Sequence, residues 1–252
     1  MRLKDKVAII ITPGMGMGRE AATLFAREGA SVIVFDRNKE AAEQTVKEIE
    51  AAGGAAHLVV GDVSSEADVK RAIDEGYAKF GKLHILYANA GVLWKDRDKS
   101  VIETSEENWD LVQAINLKGP FFLTKHGIPK LQASGGGSII LVGSISALVG
   151  FTLAQDSYTC AKAALIGLAK SLAVQFGGDQ IRCNIIHPGM IDTPLQAPYL
   201  NDQKKKDIGD SLPLKRLGSA RDIANAALFL ASDDSAWMTG AEMIVDGGFI
   251  AT

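Results

Sequence analysis

Residues 7–20 read Val7-Ala8-Ile9-Ile10-Ile11-Thr12-Pro13-Gly14-Met15-Gly16-Met17-Gly18-Arg19-Glu20. An unbroken apolar run, rather than one that alternates with polar residues, is typical of a strand buried on both faces of a parallel sheet. The glycines that follow let the backbone approach a pyrophosphate, and the N-terminus of the next helix presents free N–H groups to it. The stretch therefore predicts a strand–turn–helix unit that binds a dinucleotide.

The same kind of apolar run recurs along the chain. Six further strands are predicted at Ser31–Phe35, Ala56–Val60, Ile85–Tyr87, Ser138–Val142, Ile181–Ile186 and Glu242–Val245. Helical patterns are found at Gly18–Glu28, Lys39–Ala52, Ala67–Phe80, Glu106–Ala133, Tyr158–Phe176 and Ala220–Ala231. Strands that alternate with helices indicate right-handed βαβ units. The predicted fold class is α/β, a Rossmann-like doubly wound parallel sheet of about seven strands with helices on both faces.

No repeat or linker divides the chain, so residues 1–252 are predicted to form a single dinucleotide-binding and catalytic domain. The longest irregular stretch is 189–217, which is rich in proline and charge, and long loops of this kind often cover a site. We therefore predict a substrate lid over these residues. The only basic run, Lys204-Lys205-Lys206, lies among aspartates and is expected on a solvated helix face.

Composition narrows the classes of partner. The net charge is −3 with both signs interspersed, which argues against nucleic acid, since its binders carry a strongly basic face. No apolar run approaches the length of about 20 residues that a membrane span needs. The N-terminal segment is too short for a secretory core, and two cysteines fit a reducing compartment. The expectation is a soluble cytoplasmic protein with a small-molecule partner; no metal site is assigned.

Two acidic residues follow predicted strands in positions typical of nucleotide contacts. Asp36 ends the second strand, 18 residues beyond Gly18, close to the spacing of about 20 at which an acid binds a ribose diol. A carboxylate there favours NAD over NADP because it repels a 2′-phosphate, although Arg37 opposes that preference. The alternative for Asp36 is a turn or helix cap. Asp62, followed by Val63, either accepts a hydrogen bond from adenine or caps the next helix.

Tyr158 and Lys162 are four residues apart in Ser157-Tyr158-Thr159-Cys160-Ala161-Lys162. On a helix this spacing places both side chains on one face. A neighbouring ammonium favours the phenolate, so the pair predicts a tyrosine whose pKa is lowered toward neutrality. Such pairs also arise by chance, so a catalytic role for this pair depends on the other motifs of the chain.

With these motifs in view, the chain resembles the short, single-domain branch of the short-chain dehydrogenase/reductase family from Lys6 to Gly248. The resemblance rests on the Asn89-Ala90-Gly91 turn, on Asn116 in Ile115-Asn116-Leu117, on Ser144 after the fifth strand and on the Tyr158/Lys162 pair. Pro188-Gly189-Met190-Ile191-Asp192-Thr193 and the ending Thr239–Gly248 match the family as well.

The resemblance implies hydride transfer between nicotinamide and a carbinol or carbonyl carbon. Tyr158 would be the base, Lys162 would lower its pKa and bind the nicotinamide ribose, Ser144 would hold the substrate oxygen, and Asn116 would order a water that links Lys162 to solvent. The implied cofactor residues are Thr12, Gly14, Gly16, Met17, Asp36, Arg37, Asp62, Val63, Asn89, Ala90, Gly91, Tyr158, Lys162, Pro188, Gly189, Ile191 and Thr193.

The glycine turn departs from the family pattern Thr-Gly-x-x-x-Gly-x-Gly. In register, Ile11 stands at the position of the threonine and Thr12 at that of the first glycine. A β-branched residue pays heavily for a positive φ. Two outcomes are open: the turn takes another path in which Gly14 supplies the flexibility, or the dinucleotide binds less tightly.

The substrate is harder to predict. Candidate substrate residues are Ser144, Ser146, Gln155, Trp94 and Met190, a mixture of apolar walls and a few polar groups that is typical of small-molecule pockets. Lys95 and Arg97 either attract an anionic substrate or are merely solvated.

The leading function is an NAD-dependent dehydrogenase of a small secondary alcohol or reductase of the ketone. The alternatives are a 3-oxoacyl-thioester reductase and, in another class, a non-catalytic dinucleotide-binding protein. By resemblance the chain is expected to form a homotetramer.

Overall fold

The computed structural model describes residues 1–252 and contains a seven-stranded parallel sheet. The sheet strands are β1 (Val7–Ile11), β2 (Ser31–Asp36), β3 (Ala55–Val60), β4 (Ile85–Ala88), β5 (Gly137–Val142), β6 (Ile181–Pro188) and β9 (Glu242–Val245). Their order is β3-β2-β1-β4-β5-β6-β9. A separate two-stranded ladder pairs β7 (Ile191–Asp192) with β8 (Gly218–Ser219). The predicted fold class is confirmed.

Helices connect the strands and cover both faces. They are α1 (Gly16–Arg27), α2 (Lys39–Ala51), α3 (Glu66–Phe80), α4 (Glu106–Gln113), α5 (Gly119–Ala133), α6 (Asp156–Phe176), α7 (Asp202–Ser211) and α8 (Ala220–Ala231). No helix has the length and apolar character needed to cross a membrane.

Successive residues of the central strand serve opposite faces, which explains the continuous apolar run. Ile9 and Ile11 pack with residues of α3, α5 and α6, whereas Ala8 and Ile10 pack with residues of α1, α2 and α8. All four are fully buried. Because both faces are covered, a polar residue at any of these positions would lose its hydrogen bonds to water.

The segment predicted as one helix over Glu106–Ala133 is interrupted. A π-helical turn, Ala114–Lys118, separates α4 from α5. Pro120 lies at the start of α5 and has no N–H, so it cannot donate the α-helical hydrogen bond to the carbonyl of Asn116, four residues earlier. The wider turn is where the chain accommodates this missing donor.

The segment 189–217, predicted as irregular, holds β7, a short 3₁₀ turn at Ala197–Tyr199 and α7. Asn201 caps α7, because its side chain accepts from the backbone N–H of Lys204. The basic run Lys204–Lys206 lies on this helix, in agreement with the helix face expected for it. The bounds of the helix were not predicted because its residues are mostly polar and exposed and give no apolar stripe.

Candidate active site

The carboxyl ends of the strands open onto a cleft of about 760 Å³. It lies where the strand order reverses, with β1 between β2 and β4, and open α/β sheets bind ligands at such points. The cleft is lined by most of the residues singled out from the sequence: Thr12, Gly14, Gly16, Met17, Asp36, Arg37, Asp62, Val63, Asn89, Gly91, Trp94, Ser144, Ser146, Gln155, Tyr158, Lys162, Pro188, Gly189, Met190, Ile191 and Thr193. Of the predicted site residues, Ala90 and Asn116 do not line it.

The glycine-rich turn between β1 and α1 contains a left-handed residue that is not glycine. Thr12 has φ +59°, and among the glycines of the turn only Gly16 has a positive φ, at +57°. The alternative in which Gly14 supplies the flexibility is therefore wrong, because Thr12 itself adopts the conformation that glycine takes freely. The side-chain amide of Asn89 donates to the hydroxyl and the carbonyl of Thr12 at 3.3 and 3.4 Å and so supports it. At Gly18 a methyl group would collide with the Thr12 carbonyl.

Asp36 ties the turn to the end of β2. Its carboxylate accepts hydrogen bonds from the backbone N–H of Gly14 at 2.8 Å and of Asn38 at 2.9 Å. It is 8% exposed and also lines the cleft. The capping role and the position expected for a ribose contact therefore coexist in one side chain. Arg37, next to it, lines the cleft from an exposed position.

Asp62 does not cap the helix that follows it. Its carboxylate accepts from the backbone N–H and the hydroxyl of Ser64 at 2.8 and 2.7 Å. The N-cap of α3 is Ser65. The capping alternative for Asp62 is thus wrong, and its carboxylate stabilises the loop beside the cleft.

Ser144, Tyr158 and Lys162 line the same cleft, as the sequence predicted. Ser144 follows β5, while the other two lie one turn apart on α6. Lys162 is 2% exposed, and its ammonium donates to the carbonyls of Ala90 at 3.2 Å and Val142 at 2.8 Å. Its Nζ lies 5.7 Å from the centre of the Tyr158 ring. The lysine is therefore held beside the tyrosine by the loop after β4 and by the end of β5.

Burial shifts both titrating groups toward their neutral forms. It raises the pKa of the Tyr158 phenol, and a hydrogen bond with the Ser144 hydroxyl opposes that rise. It lowers the pKa of the Lys162 ammonium to about 7. The Tyr158 pKa thus shifts in the direction opposite to the predicted one, because removal from water outweighs the favourable contacts of the phenolate.

Asn116 lies behind the cleft and is fully buried in the π-helical turn. Its side-chain oxygen accepts from the Val92 N–H at 2.8 Å, and its side-chain nitrogen donates to the Val92 carbonyl at 3.0 Å. The amide therefore fixes the loop after β4, and its side chain is not placed at the cleft, where a water-ordering group was expected.

Comparison with known proteins places the chain in a family. A family model described as enoyl-(acyl carrier protein) reductase matches residues 13–250. Cyclohexanol dehydrogenase of Acinetobacter sp. (strain SE19) is 36% identical over 98% of this chain and 96% of that protein. Cyclopentanol dehydrogenase of Comamonas sp. (strain NCIMB 9872) is 37% identical over 99% of each. The chain belongs to the short-chain dehydrogenase/reductase family.

Two further relatives widen the range of family chemistry. The 3-oxoacyl-(acyl-carrier-protein) reductase FabG of Thermotoga maritima is 35% identical over 99% of this chain and 100% of that protein. The solved structure of 7α-hydroxysteroid dehydrogenase complexed with NADH and 7-oxo glycochenodeoxycholic acid has a TM-score of 0.92 and 34% identity, over 98% of this chain and 95% of that one. The chain is accordingly an oxidoreductase with a nicotinamide cofactor, and the non-catalytic alternative is set aside.

Asp98 is a residue beside the site that was not predicted from the sequence. It is fully buried, and its two carboxylate oxygens accept from the backbone N–H groups of Ser157 at 2.9 Å and Tyr158 at 2.7 Å. It thereby holds the first turn of α6. No signal in the sequence revealed it, because it stands in an alternating charge run that is typical of a solvated loop and contacts a helix 59 residues away.

The C-terminal segment also reaches the cleft. Phe249 and Phe151 both line it, and their rings stack with centres 5.6 Å apart and planes 11° apart. Neither residue was predicted from the sequence to lie at the site. An apolar pair of this kind, contributed by distant parts of the chain, has no local sequence signature.

Proposed function

We propose that the protein is an NAD-dependent dehydrogenase of a small cyclic secondary alcohol, or a reductase of the corresponding ketone. The observation that carries the proposal is that Ser144, Tyr158 and Lys162 line one cleft together with a buried carboxylate, Asp36. The names of the relatives, cyclohexanol and cyclopentanol dehydrogenase, support a cyclic alcohol.

The residues present fit a dinucleotide. Glycine is required at Gly18 because α1 packs against the Thr12 carbonyl, so the helix N-terminus lies close behind the turn. The N-terminus of a helix favours an anion such as a pyrophosphate because its free N–H groups point outward. Asp36 favours a ribose with a free 2′-hydroxyl, hence NAD, since a carboxylate there would repel a phosphate. Arg37, which is exposed, would weaken that selection rather than reverse it.

A bound nicotinamide supplies the acceptor or donor of a hydride. Tyr158 is positioned to take the hydroxyl proton during oxidation, and Ser144 to hold the substrate oxygen. Lys162 brings a cation whose low pKa allows it to exchange protons near neutral pH. We assign the water-holding role to the main-chain carbonyl of Asn116, because the side chain is committed to Val92.

The walls near these residues suit a substrate with an apolar ring. Trp94, Met190, Phe151 and Phe249 contribute apolar surface, and the side chain of Gln155 donates to the Ser146 hydroxyl at 2.8 Å.

The thioester reductase alternative draws support from FabG, but we rank it second because those reductases generally use NADPH. We propose that residues 189–217 act as the lid, since Met190, Ile191, Thr193 and Ile208 line the cleft from that segment.

The decisive test is an assay of cyclohexanol with NAD⁺ or NADP⁺, followed by the absorbance of the reduced cofactor. We expect turnover with NAD⁺, and its loss in Tyr158→Phe without loss of NAD⁺ binding by calorimetry. Tyr77→Phe, in which the tyrosine lies outside the cleft, is the matched control and should stay active. Full activity in Tyr158→Phe would end the proposal, and preference for NADPH and a 3-oxoacyl thioester would favour the second candidate.

We also propose a cytoplasmic homotetramer. Both cysteines are free, which fits a reducing compartment. The outer face of α6 presents small or apolar residues such as Gly167, with open space around it, and Val174, which is 85% exposed. Light scattering should give about four times the chain mass of 26.7 kDa.

A further inference from the structure

The charged side chains of the cleft are unevenly distributed. Asp36 and Arg37 lie at the end of β2, Asp62 follows β3, and the ammonium of Lys162 donates to two backbone carbonyls. The remaining charged residue is Lys95, in the loop after β4. It is therefore the only charged side chain among the lining residues of 92–95, 145–155 and 195–211 together with Phe249, called here the substrate half.

Lys95 has only neutral partners. Its ammonium donates to the side-chain oxygen of Gln196 at 3.1 Å and lies 4.9 Å from the centre of the Tyr199 ring. It takes part in no ion pair, whereas its neighbour Arg97 contacts Asp96. Burial lowers the pKa of Lys95, and repulsion by Lys204 adds to this effect.

A partly buried cation without an anion pays a desolvation cost that only a negative partner repays well. No acidic residue lines the substrate half, so that partner has to come with the ligand. The surrounding walls, which include Trp94, Phe151, Leu195 and Phe249, are apolar. The complementary ligand has an apolar body and one negative group.

We propose that the substrate is a cyclic secondary alcohol, or its ketone, that carries a carboxylate, and that this carboxylate pairs with Lys95. The inference rests on the proposed dehydrogenase function and specifies its substrate class. The carboxylate takes no part in the reaction; it fixes the ring relative to Ser144 and Tyr158. Gln196 and Tyr199 belong to the segment 189–217, so the pairing would also join substrate and lid.

The test compares trans-4-hydroxycyclohexanecarboxylate with its neutral carboxamide as substrates with NAD⁺. We expect the carboxylate to have the higher kcat/KM. Lys95→Met should lower that value about tenfold to a hundredfold, as for loss of one charge-assisted hydrogen bond, and change the value for the carboxamide less than about threefold. Lys99→Met, in the same loop but exposed and outside the cleft, changes the net charge equally and should behave like the wild type.

Two kinetic results would overturn the inference. One is a wild-type enzyme that does not favour the carboxylate. The other is an equal loss for both substrates in Lys95→Met, which would mean that Lys95 merely anchors Gln196 and Tyr199.

Binding of cyclohexanecarboxylate, measured by calorimetry, separates this inference from the proposed function. If the wild type binds this acid and Lys95→Met does not, while no alcohol is oxidised, the anion site stands and the dehydrogenase proposal fails. If alcohols are oxidised but the acid binds equally to both proteins, the dehydrogenase proposal stands and the anion site is refuted.

Discussion

Thr12 illustrates how one residue can carry a backbone conformation that the family pattern gives to glycine. Its φ of +59° costs an L-residue about 1–2 kcal/mol. Hydrogen bonds from the side-chain amide of Asn89 to the Thr12 hydroxyl and carbonyl offset part of this free-energy cost. The turn is therefore preserved at the expense of stability, and this structure gives no reason to expect a large loss of dinucleotide affinity.

Thr12→Gly should raise the free energy of unfolding by about 1 kcal/mol, since relief of strain exceeds the added flexibility of the unfolded chain. The dissociation constant for NAD⁺ should change less than about twofold, because the backbone path stays the same. Urea denaturation and calorimetry measure the two quantities. Gln180→Gly, which relieves a φ of +59° far from the cleft, is the matched control. A destabilised Thr12→Gly protein would show that the hydroxyl contacts matter more than the strain.

At the level of elements, the first turn of α6 depends on a residue from another loop. Asp98 accepts from two backbone N–H groups at the helix N-terminus, where a carboxylate also interacts well with the helix dipole. One of these groups belongs to Tyr158. The contact therefore couples the loop after β4 to the position of the proposed base.

Asp98→Asn should lower the free energy of unfolding by about 2 kcal/mol, because an amide accepts from only one of the two N–H groups and loses the charge. We expect kcat to fall more than KM rises, since Tyr158 loses its fixed position while the cleft walls remain. Steady-state kinetics and urea denaturation measure both effects. Asp96→Asn, at an exposed neighbouring position, should leave both unchanged. An Asp98→Asn enzyme with lowered stability but unchanged kcat would confine the residue to a structural role.

Sequence periodicity predicted the elements well where packing dictates the residues. The bounds predicted for Val7–Ile11, Ala220–Ala231 and Glu242–Val245 agree with β1, α8 and β9. Periodicity did not predict the elements whose bounds depend on interactions other than apolar packing. The π-helical turn adjoins Pro120, which has no N–H to donate, and α7 is a polar helix with a capped N-terminus and no apolar stripe.

Part of the cleft lining could be found from the sequence in the same way. Local motifs such as Tyr158/Lys162 and Asn89–Gly91 were found because their residues are close in sequence. Contacts between distant segments, such as Asp98 with α6 or Phe151 with Phe249, have no local pattern. The direction of the Tyr158 pKa shift was wrong because spacing reveals the neighbouring cation but not the depth of burial.

For the whole molecule, the buried lysine makes stability depend on pH. The pKa of Lys162 is about 7 in the folded protein and about 10.4 in an unfolded chain. Between these values the unfolded state binds one more proton than the folded state. Stability therefore rises with pH through this window, and below pH 7 this contribution no longer changes.

Lys162→Met removes this contribution. From pH 7 to 9.5 the wild type should gain about 3 kcal/mol of unfolding free energy relative to the variant, as measured by urea denaturation. The upper limit avoids the ionisation of tyrosine in the unfolded chain. Lys47→Met, at an exposed position on α2, should give a curve parallel to that of the wild type. Parallel curves for Lys162→Met as well would show that the ammonium stays protonated in the folded protein.

The hydrogen bond between Asp36 and the Gly14 N–H has a consequence for engineering. An attempt to switch coenzyme choice by replacing this acid would also remove the acceptor that anchors the neighbouring turn. A short polar substitute such as serine would need a compensating change nearby before selectivity improved. A substitution of Asp36 should therefore be combined with a second substitution that restores the turn, before any positive charge is introduced.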